Sequence, residues 1–336
     1  MSGVLRAAYL GPEGTFTHQA VREWLALRAK GESGVPGAVT TGVTPVSEPF
    51  GDDAAEPFGT VAAVHDAVAA RTADVGVVAI ESSVEGYVVP SLDALVGSPD
   101  VVAVDEVVLD VSFDAFVRPD HGELREVSAH PHGLAQCTGF VARSGLHPVP
   151  SSSNAAACRD AGPHTVALGP SLCGELYGLE THARAVEDFH GGRTRFLVLA
   201  PRDTAPEHLA AARARGVRAW RTMLAVTPLR VGPGVLARIT DTFARAGVNM
   251  SSLITRPLKA RQGQYVFVIT LDEAAWEPGA RAVLAELLTA GDSLKTLGVF
   301  PAPDLDVDGT LDPDHVPVGS VTTDSAAEDV TRGLLW

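Results

Sequence analysis

Apolar residues in the first two hundred positions come in short runs, set apart by stretches with helical spacing. Residues 75–80 (Val-Gly-Val-Val-Ala-Ile), 101–104 (Val-Val-Ala-Val), 127–129 (Val-Ser-Ala) and 165–168 (Thr-Val-Ala-Leu) each read as a buried strand. Strands alternating with helices indicate an α/β unit with a largely parallel sheet, here spanning residues 4–200. Residues 31–59 are polar and rich in Gly, Pro and Thr. They read as a loop-heavy insertion around an edge strand.

The pattern changes after residue 200. Pro201 and Pro206 bracket a charged, Ala-rich stretch, so residues 201–216 read as a linker holding a short exposed helix. From 217 the periodicity predicts a strand over 219–227, a helix over 234–246, strands over 249–255 and 265–271, a helix over 275–290 and a strand over 294–300. That order is βαββαβ, a ferredoxin-like plait within 217–301. Residues 302–336 are acidic, rich in Pro and Asp and without periodicity, which predicts a disordered tail.

Composition narrows the chemistry. The 336 residues are 46% hydrophobic but only 6% aromatic, so the cores must be built largely of Val, Leu and Ala. A formal charge of −15, with the basic residues scattered, argues against binding nucleic acid or an anionic membrane. It also means that an anionic ligand needs a locally positive site made of Arg and backbone N–H groups. Cys137, Cys158 and Cys173 form no C-x-x-C pair, which suggests reduced thiols in a cytoplasmic protein, with no zinc site and no disulfide framework. No apolar run approaches the roughly 20 residues of a membrane span, and residues 1–8 lack a signal-peptide core.

Five segments are polar where packing alone favours apolar residues. In Tyr9-Leu10-Gly11-Pro12-Glu13-Gly14-Thr15-Phe16-Thr17 an apolar run breaks at two glycines and then turns helical. It is either a plain turn capped by Thr15 or Thr17, or a cradle of N–H groups for a small anion. It lacks the spacing of dinucleotide and phosphate loops. Glu81-Ser82-Ser83 follows a buried strand, where parallel sheets bind ligands, and serves equally well as a helix cap. His130-Pro131-His132 opens a helix that carries Gln136; the two histidines do not share a helix face, so a solvated loop is the default for His132. Ser151-Ser152-Ser153-Asn154 begins another helix, as a cap or as a carboxylate cradle. Thr194-Arg195-Phe196 heads a strand with no obvious helical partner for Arg195, whose planar guanidinium suits a carboxylate.

Taken in order, these motifs resemble the bacterial prephenate dehydratases with a C-terminal ACT regulatory domain, over roughly residues 5–300. The resemblance rests on the Gly11-Pro12-Glu13-Gly14-Thr15-Phe16 loop, on Glu81-Ser82-Ser83 where the family has Glu-Asn-Ser, and on Ala129-His130-Pro131-His132 with Gln136 beyond. Ser152-Ser153-Asn154 stands for Ser-Thr-Ala, and Thr194-Arg195-Phe196 matches intact.

That resemblance implies a catalytic domain of two periplasmic-binding-protein-like lobes, the second over about 86–185. It implies conversion of prephenate to phenylpyruvate with loss of water and carbon dioxide, without metal or cofactor. Thr194 would assist the leaving hydroxyl, with Glu81 the alternative proton source. Arg195 would hold a carboxylate and Phe196 would pack the pocket. Gly11, Pro12, Gly14, Thr15, Phe16, Ser82, Ser83, Gln136, Ser152, Ser153 and Asn154 would contact substrate. In the plait, Gly234-Val235-Leu236 and Ile254-Thr255-Arg256-Pro257 resemble the two phenylalanine-binding segments of ACT domains, with Ile254 replacing a carboxylate. The family further implies a homodimer or homotetramer. Rival readings are a prephenate decarboxylase that keeps the hydroxyl and a non-catalytic small-molecule sensor.

Overall fold

The computed structural model describes residues 5–30, 55–258, 264–302, 320–321 and 325–334. Strand β1 (Ala7–Leu10) feeds helix α1 (Phe16–Ala29), followed by β2 (Ala55–Phe58), α2 (Val61–Ala69), β3 (Val75–Ser82), a short β4 (Gly86–Tyr87), α3 (Val89–Gly97) and β5 (Val101–Asp110). The middle of the chain forms β6 (Asp114–Val117), β7 (Glu126–Ala129), α4 (Pro131–Gln136), α5 (Thr138–Ser144), β8 (His147–Pro150), α6 (Asn154–Arg159), β9 (Thr165–Gly169), α7 (Leu172–Tyr177) and β10 (Glu180–Ala183). Then come β11 (Arg193–Pro201), α8 (Ala205–Ala214), β12 (Trp220–Pro228), α9 (Val235–Ala246), β13 (Met250–Pro257), β14 (Tyr265–Leu271), α10 (Pro278–Thr289) and β15 (Asp292–Pro301). A separate unit, residues 304–336, contains helix α11 (Ala327–Leu334).

Two sheets organise the first unit. The larger runs β13-β14-β12-β15-β5-β11-β3-β1-β2, with β4 beside β3; the smaller, in the second lobe, runs β10-β6-β9-β7-β8. The apolar run of β3 makes it a central strand, with Val75, Val77 and Ile80 fully buried. Helices α2 and α3 cover one face of this sheet through Val64, Val68, Leu92 and Leu95. Helix α1 covers the other through Val21, Trp24 and Leu25. Sheets buried on both faces read as continuous apolar runs rather than alternating ones.

The expected βαββαβ plait is present, in the strand order β13-β14-β12-β15 with every adjacent pair antiparallel. Helices α9 and α10 close one face, with Ile239 and Phe243 of α9 in one cluster with Leu224 and Val226 of β12. The helix-free face, with Met223, Ala225, Val266 and Val268, packs instead on the core built by α2 and α3. Its sheet also continues into the first one: Gly298 of β15 pairs with Ala103 of β5. A Cβ on Gly298 would lie 2.5 Å from Ala103 Cβ, so the join requires glycine there.

Four expectations are corrected. The larger sheet is mixed, because β11 re-enters it from the second lobe and runs antiparallel to both β3 and β5. The second lobe begins near residue 111 rather than 86, since α3 and β5 pack in the first lobe. Residues 201–216 are a docked segment rather than a free linker: Ala212 of α8 is buried against Trp220, Ala274 and Val299, and the Arg213 guanidinium lies 3.7 Å from the centre of the Trp276 ring. The end of the tail is helical in α11, while residues 303–319 and 322–324 lie outside the described residues, as do 31–54 of the expected insertion. Among the described residues no helix is long and apolar enough to cross a membrane.

Candidate active site

The ends of β3 and β11 lie side by side at the mouth of the cleft between the lobes, with Thr194 opposite Ser82 and Arg195 opposite Glu81. Strand alternation sends Thr194 and Phe196 to one face and Arg195 to the other. The first face opens on a cavity of about 210 Å³. This is smaller than the roughly 300–1,000 Å³ typical of sites for drug-sized ligands. Phe16, Phe113 and Phe196 give it an aromatic wall; Thr17, Ser82, Gln136, Asn154 and Thr194 are its polar lining, with Glu85 and His132 at the rim. Thr194 is half-buried, and among the described residues no protein group hydrogen-bonds its hydroxyl. It is a free donor in an apolar recess.

Of the residues expected to contact substrate, Phe16, Ser82, Gln136, Asn154, Thr194 and Phe196 line this cavity. The opening loop largely does not. Gly11 N–H donates to Phe58 O, and Gly14 N–H donates to His18 Nδ1. Thr15 caps α1, accepting from His18 N–H while its own hydroxyl donates to Pro12 O. The loop is a turn in which the Gly11 and Gly14 donors are already used, pinned to the second lobe where Tyr177 donates to Glu13 O and Cys173 to Gly14 O. Gly11, Pro12, Gly14 and Thr15 frame the site and leave Phe16 and Thr17 to face it.

The serine clusters divide in the same way. Ser83 accepts from Arg193 N–H, and Ser153 caps α6 by accepting from Ala156 N–H. Ser152 is exposed and outside the lining. Asn154 accepts from His130 N–H at 2.9 Å, which ties α4 to α6. A Cβ on Gly133 would lie 2.4 Å from Asn154 Oδ1, so this approach needs glycine.

Arg195 is not free to clamp a ligand. Its guanidinium forks onto Glu106, Nε to Oε1 at 3.1 Å and Nη2 to Oε2 at 2.7 Å, and Nη1 donates to Glu81. Burial works against its charge, but the bonds and charges of Glu106 and Glu81 outweigh this and hold Arg195 above its ordinary range. Glu106 is fully buried and also faces Arg221 of β12 at 3.8 Å; Arg221 in turn binds Asp272. A chain of charges thus runs from the strand end beside Thr194 into the plait. Glu106 was the residue missed from sequence, although Asp105-Glu106 inside the apolar run of β5 was its signal, since buried carboxylates require partners.

His132 and Glu85 were missed as well. Glu85, on the turn between β3 and β4, spans the cleft: its Oε2 lies 2.6 Å from His132 Nδ1 and its Oε1 accepts from Gln136 at 2.7 Å. His132 is exposed but belongs to the cavity rim rather than to an open loop. Among the described residues no cluster of three or more His, Cys, Asp or Glu could hold a metal.

The residues expected to hold an effector fall on two faces of the plait. Burial alternates along β13. Ile254 packs on the core below, and Arg256 forks onto Asp93 of α3 at 2.8 and 2.9 Å. Thr255 and Pro257 are exposed on the other face, as are Leu253 and Leu236. Gly234 precedes α9 and Val235 packs into the plait core.

A cleft between two α/β lobes, walled by aromatic rings and carrying the Thr194 hydroxyl among its polar groups, defines a small-molecule site of the clamp type. Residues 7–204 match the family described as prephenate dehydratase. The chain is 33% identical to the prephenate dehydratase of Amycolatopsis methanolica over 315 residues, 92% of each chain. Among solved structures it is similar to the prephenate dehydratase of Arthrobacter aurescens in complex with L-Phe (TM-score 0.71, 28% identity, 89% of this chain and 91% of that one). It is also similar to that of Staphylococcus aureus (TM-score 0.65, 26% identity, 88% and 100%). The chain belongs to the prephenate dehydratase family and is a lyase of that family.

Proposed function

We propose that prephenate binds in the cavity between the lobes and leaves it as phenylpyruvate, with Thr194 as the group that assists departure of the ring hydroxyl. The observation that carries this reading is the unpartnered Thr194 hydroxyl, set among Phe16, Phe113 and Phe196. The substrate stores its own driving force, because loss of hydroxide and carbon dioxide makes the ring aromatic. What the protein must supply is a donor where negative charge develops on the leaving oxygen. A hydroxyl is a poor acid in water, but a fixed donor in a dry recess stabilises that charge at no reorganisation cost.

Glu81 is the weaker candidate for proton source, since it is engaged by Arg195 and lies outside the lining. Arg195 acts here as a positioning residue: by locking β11 to Glu106 and Glu81 it fixes Thr194 in the next position along the strand. Gln136, Asn154, Ser82 and Thr17 supply the polar contacts to the substrate.

The plait acts as an ACT regulatory domain that takes L-phenylalanine in feedback. Support comes from its strand order and from the Arthrobacter aurescens relative, whose structure is a complex with L-Phe. The exposed set, Leu236, Thr255 and Pro257 with Leu253, is the better candidate for effector contact. Ile254 and Arg256 instead bind the plait to the first lobe. Pairing of two plaits into a homodimer or homotetramer in the cytoplasm completes the reading.

The test is the product of prephenate turnover by the purified protein. Phenylpyruvate is expected. A dihydroaromatic product that keeps its hydroxyl would mean a decarboxylase, and binding without turnover a sensor. Calorimetry with L-phenylalanine tests the plait, and absence of heat up to millimolar ligand would refute feedback through it.

A further inference from the structure

We infer that Glu85 is a resident carboxylate occupying the place of a substrate carboxylate, and that it must release His132 and Gln136 before substrate can bind. This rests on the cavity being the prephenate site. Among the described residues lining it there is no Lys or Arg, and Glu85 is the one acidic side chain of that set. The one guanidinium expected to neutralise a bound dianion, that of Arg195, is spent on Glu106 and Glu81.

The second lobe offers two side-chain donors at the rim, and Glu85 holds both: His132 at 2.6 Å from one oxygen and Gln136 at 2.7 Å from the other. A carboxylate gripped by two donors across a cleft is what a bound dicarboxylate would look like from the second lobe. A dianion entering beside Glu85 would bring a third carboxylate into the same recess, and like charges at that separation repel.

The turn is built to let Glu85 go. Residues 83–86 are exposed, and Ser82 Oγ holds the turn by accepting from Val84 and Glu85 N–H, so the backbone keeps its place when the side chain leaves. The Glu85 side chain is 37% exposed, so it already borders solvent into which it can turn. Exposed pairs of this kind contribute little to stability. Glu85 therefore sets apparent affinity: it keeps the donors oriented in the empty site and competes with the substrate for them.

Steady-state turnover of prephenate, followed as phenylpyruvate, tests this with Glu85→Ala and Glu85→Gln beside Gln136→Ala. Glu85→Ala is expected to lower KM about three- to tenfold, because the competing charge and both acceptors are removed, and Glu85→Gln to lower it by less, because its amide oxygen still accepts from one donor. Gln136→Ala is expected to raise KM. An unchanged or higher KM in Glu85→Ala would overturn the proposal, a higher one meaning that Glu85 latches the closed cleft over bound substrate. Failure of the unmodified protein to produce phenylpyruvate would instead overturn the functional reading beneath it.

Discussion

Replacing Glu106 by Gln tests whether Arg195 belongs to the scaffold. Glu106 is fully buried and receives two bonds from Arg195, at 3.1 and 2.7 Å. A glutamine keeps one acceptor oxygen, so at least one bond is lost and an NH₂ group faces a guanidinium. Charged hydrogen bonds contribute about 1.5–3 kcal/mol each, and removing one partner of a buried pair costs about 3–5 kcal/mol. Arg195 keeps Glu81, whose side chain is 28% exposed, which favours the lower end of that range. We expect Glu106→Gln to lose about 3 kcal/mol, read by urea unfolding through tryptophan fluorescence. In a cycle with Arg195→Met the pair should couple by at least about 2 kcal/mol, because contacting charges are not additive. Thr194 directly precedes Arg195 in the strand, so kcat should fall with stability. A coupling below about 0.5 kcal/mol, with Arg195→Met acting on KM alone, would refute this and return Arg195 to the substrate.

Three further outcomes follow from the same geometry. His65 of α2 is 5% exposed with no partner for either ring nitrogen, and burial lowers its pKa from 6.5 to about 4. Unfolding lets it take up a proton, so its stability contribution is intact above pH 6.5 and lost as pH falls towards 4. At about 1.4 kcal/mol per pH unit this is about 2 kcal/mol between pH 7 and 5, and His65→Leu should remove that part of the slope in denaturant titrations. A variant with the same slope would show that the imidazole is already solvated. Gly133→Ala forces its Cβ against Asn154 Oδ1, which should loosen α4 and lower kcat/KM about tenfold with little change in melting temperature. Trp24→Phe removes the 2.8 Å bond from Trp24 Nε1 to the buried Asp105. Burial pushes the Asp105 carboxyl up, and without that donor one of its buried oxygens is left unpaired, so about 1–3 kcal/mol of stability should be lost in urea unfolding.

Much of the architecture could be read from the chain because local periodicity decided it. Strand β14 spans the residues expected, and the βαββαβ order follows from alternation alone. What was not legible depends on contacts distant in sequence. Strand β5 extends six residues past its first apolar run, through Asp105 and Glu106, which satisfy themselves with Trp24 and Arg195. The parallel join of β15 to β5 and the antiparallel pairing of β11 with β5 bring together strands distant in sequence, which no local pattern encodes. The site was legible in the residue types at the strand ends, where Thr194, Phe196, Gln136 and Asn154 meet around one cavity. Residue type alone did not separate a ligand contact from a structural role where a polar side chain has a partner in the fold, as with Thr15, Ser83, Ser153 and above all Arg195.

The most direct test of the account is kcat for Thr194→Ala measured beside substrate affinity. Loss of one preorganised donor predicts a fall in kcat of about 10²–10³. Affinity for prephenate should persist and phenylpyruvate should remain the slow product. A variant that turns over at the unmodified rate would contradict the claim that the Thr194 hydroxyl assists the leaving group.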